Sequence, residues 1–214
     1  MMPERLYLCV ITDTSLAPGL DHVGIARAAL EGGADMIQLR DKTGDLRALL
    51  PQARAIQALC RSYGAVFIVN DRVDLALAAV ADGAHVGQED LPATDARRLL
   101  GPGKILGVST HDVEQALAAR DAGADYIGYG PMFSTGTKDT GYTPRGPAAL
   151  REIRRAVTLP ILAIGGITLE NVATVIAAGA TAPAVISGVV ASPDISAAAA
   201  AFCRQVAAAT AGRD

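Results

Sequence analysis

Short apolar runs alternate with longer amphipathic segments along the whole chain. Runs at 6–11 (LYLCVI), 65–69 (AVFIV), 105–108 (ILGV) and 160–164 (PILAI) are each followed within a few residues by a helical pattern, as over 71–81 and 111–122. Between them recurs one kind of junction: EGGADMIQL at 31–39, ADGAHVGQ at 81–88, DAGADYIGYG at 121–130 and AAGATAPAVISG at 177–188. Each passes from an alanine-rich helical segment through Gly-Ala to a short apolar run. The spacing predicts that Gly33, Gly83, Gly123 and Gly179 close helices in the left-handed region. The runs are apolar at nearly every position, as strands buried on both faces are, and eight such strands alternate with eight helices. That count, in a chain of this length, predicts α/β architecture with a closed parallel (β/α)8 barrel, a TIM barrel, formed as a single domain over 1–214. An open doubly wound sheet fits less well, because the first run leads into TDTSLAPG and not into a glycine-rich dinucleotide turn. Pro183 is expected just before the eighth strand.

Composition narrows the partners. Half of the 214 residues are hydrophobic, and 19 basic against 22 acidic side chains leave a net charge of −3 with no block of like charge. A nucleic acid or an anionic membrane would require a concentrated basic face, so neither is expected as partner. Cys9, Cys60 and Cys203 are far apart and set among apolar neighbours, which suits buried thiols in a reducing compartment. The first apolar run is six residues long and is followed by Thr12-Asp13, unlike a secretory leader, and no stretch approaches a membrane span. A cytoplasmic protein is the expectation. Whether the alanine-rich helices at 147–157 and 195–209 cover the sheet or also meet a second copy in a homo-oligomer stays open.

In such a barrel the chemistry sits where the strands end. The second run ends Gln38-Leu39-Arg40-Asp41-Lys42, the third Asn70-Asp71-Arg72, and Gln88-Glu89-Asp90 and Ser109-Thr110-His111 follow the fourth and fifth. The sixth opens into GPMFSTGTKDTGYTP at 130–144, a polar loop with almost nothing to bury. The seventh ends Gly165-Gly166 and the eighth Ile186-Ser187-Gly188. Those glycine-rich ends either cradle a phosphate on backbone N–H groups or simply allow tight turns. Asp71 and Asp90, hard carboxylates with no nearby histidine or cysteine ligand, suit Mg2+; alternatively Asp71 caps the next helix and Asp90 is a solvated turn residue. Lys42 and Lys138 lie on this rim and Lys104 on the opposite one, and an ammonium suits a non-planar oxyanion such as diphosphate. His111 reads as a helix-start residue and His85 as a satisfied buried histidine.

The ordered series QLRDK, VNDR, GAHVGQEDLP, GVSTH, DYIGYGPMFSTGTK, AIGGI and VISGV, spanning about Leu6 to Ala191, resembles thiamine-phosphate synthases. The resemblance implies an Mg2+-dependent transferase that joins 4-amino-2-methyl-5-pyrimidinylmethyl diphosphate to 4-methyl-5-(2-phosphoethyl)thiazole, releasing pyrophosphate. It implies that Gln38, Arg40, Lys42, Asn70, Ser109 and Lys138 bind the pyrimidine diphosphate, with Lys42, Lys138 and Ser109 serving the reaction. It places the thiazole phosphate on Thr135, Gly136, Thr137, Gly166, Ile186 and Ser187, and Mg2+ on Asp71 and Asp90. The polar loop then reads as a lid that keeps water from a charged intermediate. Two rivals are a thiazole tautomerase-like relative, which would carry a histidine where Pro131 stands, and a non-catalytic phosphate-binding barrel. Neither explains Lys42, Asn70, Asp71, Asp90 and Lys138 together.

Overall fold

The computed structural model describes residues 2, 3, 6–42, 45–135 and 143–212. Its strands are β1 (Cys9–Ile11), β2 (Met36–Leu39), β3 (Val66–Asn70), β4 (Gly83–Val86), β5 (Ile105–Thr110), β6 (Tyr126–Tyr129), β7 (Ile161–Ile164) and β8 (Ala182–Val185). All pair in parallel with their chain neighbours, and β8 closes on β1 through Cys9 opposite Ala184 and Val10 opposite Val185. The (β/α)8 barrel is thus observed as expected. The helices are α1 (His22–Glu31), α2 (Leu46–Tyr63), α3 (Val73–Ala78), α4 (Ala93–Leu100), α5 (Val113–Asp121), α6 (Gly146–Ala156), α7 (Val172–Ala177), α8 (Ser187–Val190) and α9 (Ile195–Ala211). Among the described residues one more α-helix is present than expected, because the single turn α8 intervenes between β8 and α9.

Strand alternation divides the core in two. Cys9, Ile11, Met36, Ile68, Ile105, Tyr126, Leu162 and Ala184 fill the barrel interior. The intervening residues, among them Val10, Ile37, Phe67, Val69, Leu106, Val108 and Ile127, pack outward on the helices. Both faces are therefore dry, which is why the sequence shows solid apolar runs without alternation. Helix starts are pinned by aspartates: Asp21 accepts the N–H of Gly24, Asp45 those of Arg47 and Ala48, Asp112 that of Gln115 and Asp194 that of Ala197. Such a cap contributes about 1 kcal/mol.

The recurring junction has a stricter internal logic than Gly-Ala. Asp35, just before β2, accepts the N–H groups of Tyr7 and Leu8 beside β1 at 2.7 and 3.1 Å. Asp82 accepts the N–H of Phe67 in β3 at 2.8 Å, and Asp125 that of Leu106 in β5 at 2.8 Å. Thr181 completes the set with its hydroxyl, which accepts the N–H of Ile161 in β7 at 3.0 Å. Each even strand is thus clasped to its odd predecessor at the barrel's N-terminal end. Two residues before each clasp the chain turns left-handed: Gly33 (φ 92°), Val80 (φ 57°), Gly123 (φ 83°) and Gly179 (φ 116°).

Two expectations are corrected here. Gly83 does not close a helix; it is the first residue of β4, where a Cβ would lie 2.0 Å from the Ile105 carbonyl oxygen, and the left-handed turn falls on Val80 instead. Pro183 lies inside β8, not before it, opposite Ala163. The lost N–H is tolerated beside a double clasp, since Thr181 both donates its N–H to the Ile161 carbonyl at 2.8 Å and accepts the Ile161 N–H.

Candidate active site

At the C-terminal end of the barrel the interior turns polar. Gln38, Asn70, His85, Ser109 and Tyr126 are contributed by five consecutive strands, β2 to β6. The His85 ring is bonded at both nitrogens, Nδ1 to the Tyr126 hydroxyl at 3.0 Å and Nε2 to the Ser109 hydroxyl at 2.8 Å. Burial, the largest cause, pushes the Tyr126 phenol well above its usual range, so it remains a neutral hydrogen-bonding group. The network exists because Gly107 has no side chain: a Cβ there would lie 2.1 Å from Tyr126 Cζ and 2.5 Å from His85 Nδ1. His85 is a satisfied, buried histidine as expected, and it also lines the site.

Two cavities open above this floor. One is lined by Gln38, Arg40, Asn70, His85, Ser109 and Tyr126 together with apolar side chains such as Ile11 and Leu162. The other is lined by His111, Gly130, Pro131, Thr135, Gly165, Gly166 and Ser187. Ser109, Gly128, Ile164, Ala184 and Ile186 belong to both linings, so the cavities share one wall. In the second, Gly165 and Gly166 take φ of 97° and 64°, and a Cβ on Gly166 would lie 2.5 Å from the Ser134 carbonyl oxygen. The Asn171 side chain steadies this turn, donating to the Gly166 carbonyl and accepting the Thr168 N–H, both at 2.9 Å.

The structure thus brings Gln38, Arg40, Asn70 and Ser109 together in one cavity and Thr135, Gly166, Ile186 and Ser187 around the other. Arg40 enters the first with its guanidinium tied to Asp13 at 2.6 Å. Lys42, Asp71 and Asp90 stand on the same rim but line neither cavity. Lys42 is exposed. Asp71 is held at φ 62° with its N–H on the His85 carbonyl at 2.8 Å, and Arg72, not Asp71, precedes α3 as its cap residue. Asp90 is exposed, and its carboxylate accepts the Gly87 N–H at 2.7 Å beside an open groove between α4 and α5. Gly136, Thr137 and Lys138 lie outside the described residues.

His111 departs from expectation. Asp112 caps α5, whereas the His111 ring reaches the second cavity and bonds the Gly130 carbonyl through Nδ1 at 2.6 Å. Sequence reasoning also missed Asp13 and Tyr126, whose partners lie 27 and 41 residues away, and Asn171, which steadies the turn just before it. A larger cavity, about 900 Å³, lies elsewhere, an open trough at the barrel's N-terminal end beside Tyr7, Arg151, Arg155 and Thr181. None of the described candidate residues lines it, and its size reflects openness to solvent more than enclosure.

The chain as a whole has relatives of known type. The family model described as thiamine monophosphate synthase matches residues 8–189. The chain belongs to that family. It is 51% identical over 198 residues to the thiamine-phosphate synthase of Shouchella clausii (strain KSM-K16), covering 92% of this chain and 94% of that one. With the thiamine-phosphate synthase of Chlorobium phaeovibrioides (strain DSM 265 / 1930) it is 52% identical over 206 residues, 96% and 97% of the two chains. Among solved structures, a thiamine phosphate pyrophosphorylase from Pyrococcus furiosus superposes with a TM-score of 0.88 at 39% identity, covering 95% of this chain and 96% of that one. A thiamine-phosphate synthase is a transferase of thiamine biosynthesis, and this coarse activity comes with membership.

The donor set on the rim can be tested for a cation. Among the described residues no group of three or more histidine, cysteine or acidic side chains is gathered as a metal cage. Asp71 and Asp90 nevertheless follow neighbouring strands, and oxygen is the only donor type they offer. Two carboxylates fit Mg2+ that completes its shell with water and substrate oxygens. Among the described residues, no helix is long and apolar enough to cross a membrane.

Proposed function

We propose that this chain joins 4-amino-2-methyl-5-pyrimidinylmethyl diphosphate to 4-methyl-5-(2-phosphoethyl)thiazole, giving thiamine phosphate and pyrophosphate. The observation that carries the reading is the shared wall: two chemically different cavities meet at Ser109, Gly128, Ile164 and Ile186. A condensation of two substrates needs such a junction, whereas a single-substrate isomerase or a simple phosphate binder needs one cavity.

The first cavity suits the aminopyrimidine. Gln38, Asn70 and Ser109 offer amide and hydroxyl groups to a ring edge, and apolar Ile11 and Leu162 lie alongside for the ring faces. Arg40 and Lys42 follow β2 directly and supply positive charge for the diphosphate. The second cavity, with Thr135, Gly166, Ile186 and Ser187, suits the thiazole and its phosphate, small residues permitting close backbone approach. The C–O bond between methylene and diphosphate breaks with its electron pair leaving on oxygen, and the thiazole nitrogen forms the new C–N bond. No side-chain nucleophile is required. The residues' work is to hold the two reacting atoms across the shared wall and to exclude water. When bound on Asp71 and Asp90, Mg2+ would supply charge neutralisation for the departing diphosphate. Lys138 and its loop would add to that charge from residues outside those described.

Incubating the two substrates with the protein and Mg2+ tests the reading, with thiamine phosphate and pyrophosphate expected in equal amounts. The double variant Asp71→Ala/Asp90→Ala should keep its circular dichroism spectrum and lose product formation. Undiminished turnover by that variant would refute the metal assignment, and no product from the wild type would sink the condensation itself.

A further inference from the structure

The loop that carries Arg40 and Lys42 is anchored from below by groups with no place in the proposed chemistry. Thr12, fully buried at the end of β1, accepts the Arg40 N–H on its hydroxyl at 3.3 Å and sends its own N–H to the Gln38 carbonyl at 2.9 Å. The same hydroxyl meets His22 Nδ1 at 2.8 Å. His22, at the first position of α1 and 3% exposed, reaches Asp41 Oδ2 through Nε2 at 3.2 Å. An ionised Asp41 can only accept, so in the neutral ring Nε2 carries the proton and Nδ1 accepts the Thr12 hydroxyl. The chain therefore runs in one direction, from the Arg40 main chain through Thr12 and His22 to Asp41. Beside it, Asp13 holds the Arg40 guanidinium at 2.6 Å and is itself bonded by the N–H and hydroxyl of Ser15 at 3.1 and 2.6 Å.

The two ends of this relay bracket the exit of β2. One end fixes Arg40 at its main chain, the other fixes Asp41, and Lys42 is the next residue. We propose that Thr12, His22 and Asp41 form a positioning device that presents the Arg40 and Lys42 cations to an incoming diphosphate. None of the three touches substrate in this account; His22 is a positioning residue. The proposal rests on the condensation reading above, which makes β2 the diphosphate-binding arm. The physical need is clear. A flexible arginine and lysine lose side-chain and loop freedom on gripping a diphosphate, and a pre-set backbone removes part of that cost. A purely packing role for His22 is the competing explanation, since its main-chain N–H also bonds Gln52 Oε1 at 3.2 Å and so ties α1 to α2.

Steady-state kinetics on both substrates separates the two. His22→Ala should raise the KM for the pyrimidine diphosphate, and the inhibition constant of pyrophosphate, about tenfold, or about 1.4 kcal/mol. The KM for the thiazole phosphate should stay within about twofold, because that cavity is built from other strands. His22→Gln, whose amide retains a donor for Asp41, should recover most of the loss, and Thr12→Val should reproduce the alanine phenotype in a variant of nearly unchanged volume. A packing role predicts otherwise: both KM values and the melting temperature would move together, and glutamine would do no better than alanine. That pattern, or constants indifferent to both His22→Ala and Thr12→Val, overturns the proposal. Wild-type turnover is the control: its absence sinks the condensation reading, whereas normal wild-type turnover beside an indifferent His22→Ala and Thr12→Val sinks the positioning role alone.

Discussion

Replacing Gly107 by alanine adds one methyl group to the floor of the first cavity. Its Cβ would lie 2.1 Å from Tyr126 Cζ, 2.4 Å from the Tyr126 hydroxyl and 2.5 Å from His85 Nδ1. Ordinary carbon contacts are about 3.5–4.0 Å, so the rings must retreat by more than 1 Å. Tyr126 is fully buried and His85 is 7% exposed, which leaves neither ring room to yield cheaply. Overpacking of this kind costs about 1–3 kcal/mol. Parting the 3.0 Å His85–Tyr126 bond strands two buried polar groups, which costs a further 1–3 kcal/mol or so. A total of about 4 kcal/mol is expected, read as a lower urea midpoint at unchanged slope. Tyr126→Phe makes the internal control, since it removes the hydroxyl without adding volume and should cost only the second share. In both variants His85 loses its fixed position against Ser109, so the KM for the pyrimidine diphosphate should rise more than that for the thiazole phosphate. A Gly107→Ala protein within about 1 kcal/mol of wild type would show that the floor is loosely packed, and the account of Gly107 as a space-maker would fail.

Three further outcomes are expected of this fold. Asp82→Ala leaves the Phe67 N–H of a fully buried residue without its partner, and Thr181→Val does the same to Ile161; each should lower stability by about 1–3 kcal/mol in urea titrations, and a negligible loss at both sites would refute the clasp. Burial pushes the Cys60 thiol from 9.0 up to about 12 and the Cys203 thiol from 9.0 to about 11. The unfolded chain therefore loses these protons first, and their contribution, intact below pH 9, should drain away as pH rises toward 11–12, about 1.4 kcal/mol per pH unit for Cys60 and less for Cys203, whose partial exposure lets solvent screen the effect; Cys60→Ala should flatten the fall seen by denaturation at pH 9 to 11. Chelation of divalent cations should abolish product formation and leave the melting temperature within a degree or so, since no described residues form a preassembled cage that would couple metal to folding.

The barrel was legible because its strands are dry on both faces, so that solid apolar runs mark them without ambiguity against the helical segments between. Local chemistry was legible too: QLRDK, VNDR and GVSTH place Gln38, Arg40, Asn70 and Ser109, and the structure collects those four around one cavity. What the sequence could not display is pairing at a distance. His85 meets Ser109 and Tyr126 from 24 and 41 residues away, and Arg40 meets Asp13 across 27. His111 looked like a helix start because its neighbour Asp112 is one; only the fold shows its ring turned toward Gly130.

Gly83 shows how a real repeat can be read out of register. Gly-Ala after an alanine-rich helix looks alike whether the glycine ends the helix or begins the strand, and local composition cannot separate the two. The residue that fixes the alignment is the clasp: Asp35, Asp82, Asp125 and Thr181 each precede an even strand by one position and accept an N–H at or beside the preceding odd strand. Aligned on them, Gly33, Gly123 and Gly179 fall opposite Val80, and Gly83 falls opposite Met36, Tyr126 and Ala182, the first inward residues of their strands. A β-branched residue in the left-handed region carries about 1–2 kcal/mol of strain, yet Val80 is 60% exposed and the clasp beside it is intact. The junction is therefore specified by its hydrogen-bond acceptor more strictly than by its turn residue, and an acceptor's target is a property of the folded chain that no local pattern announces.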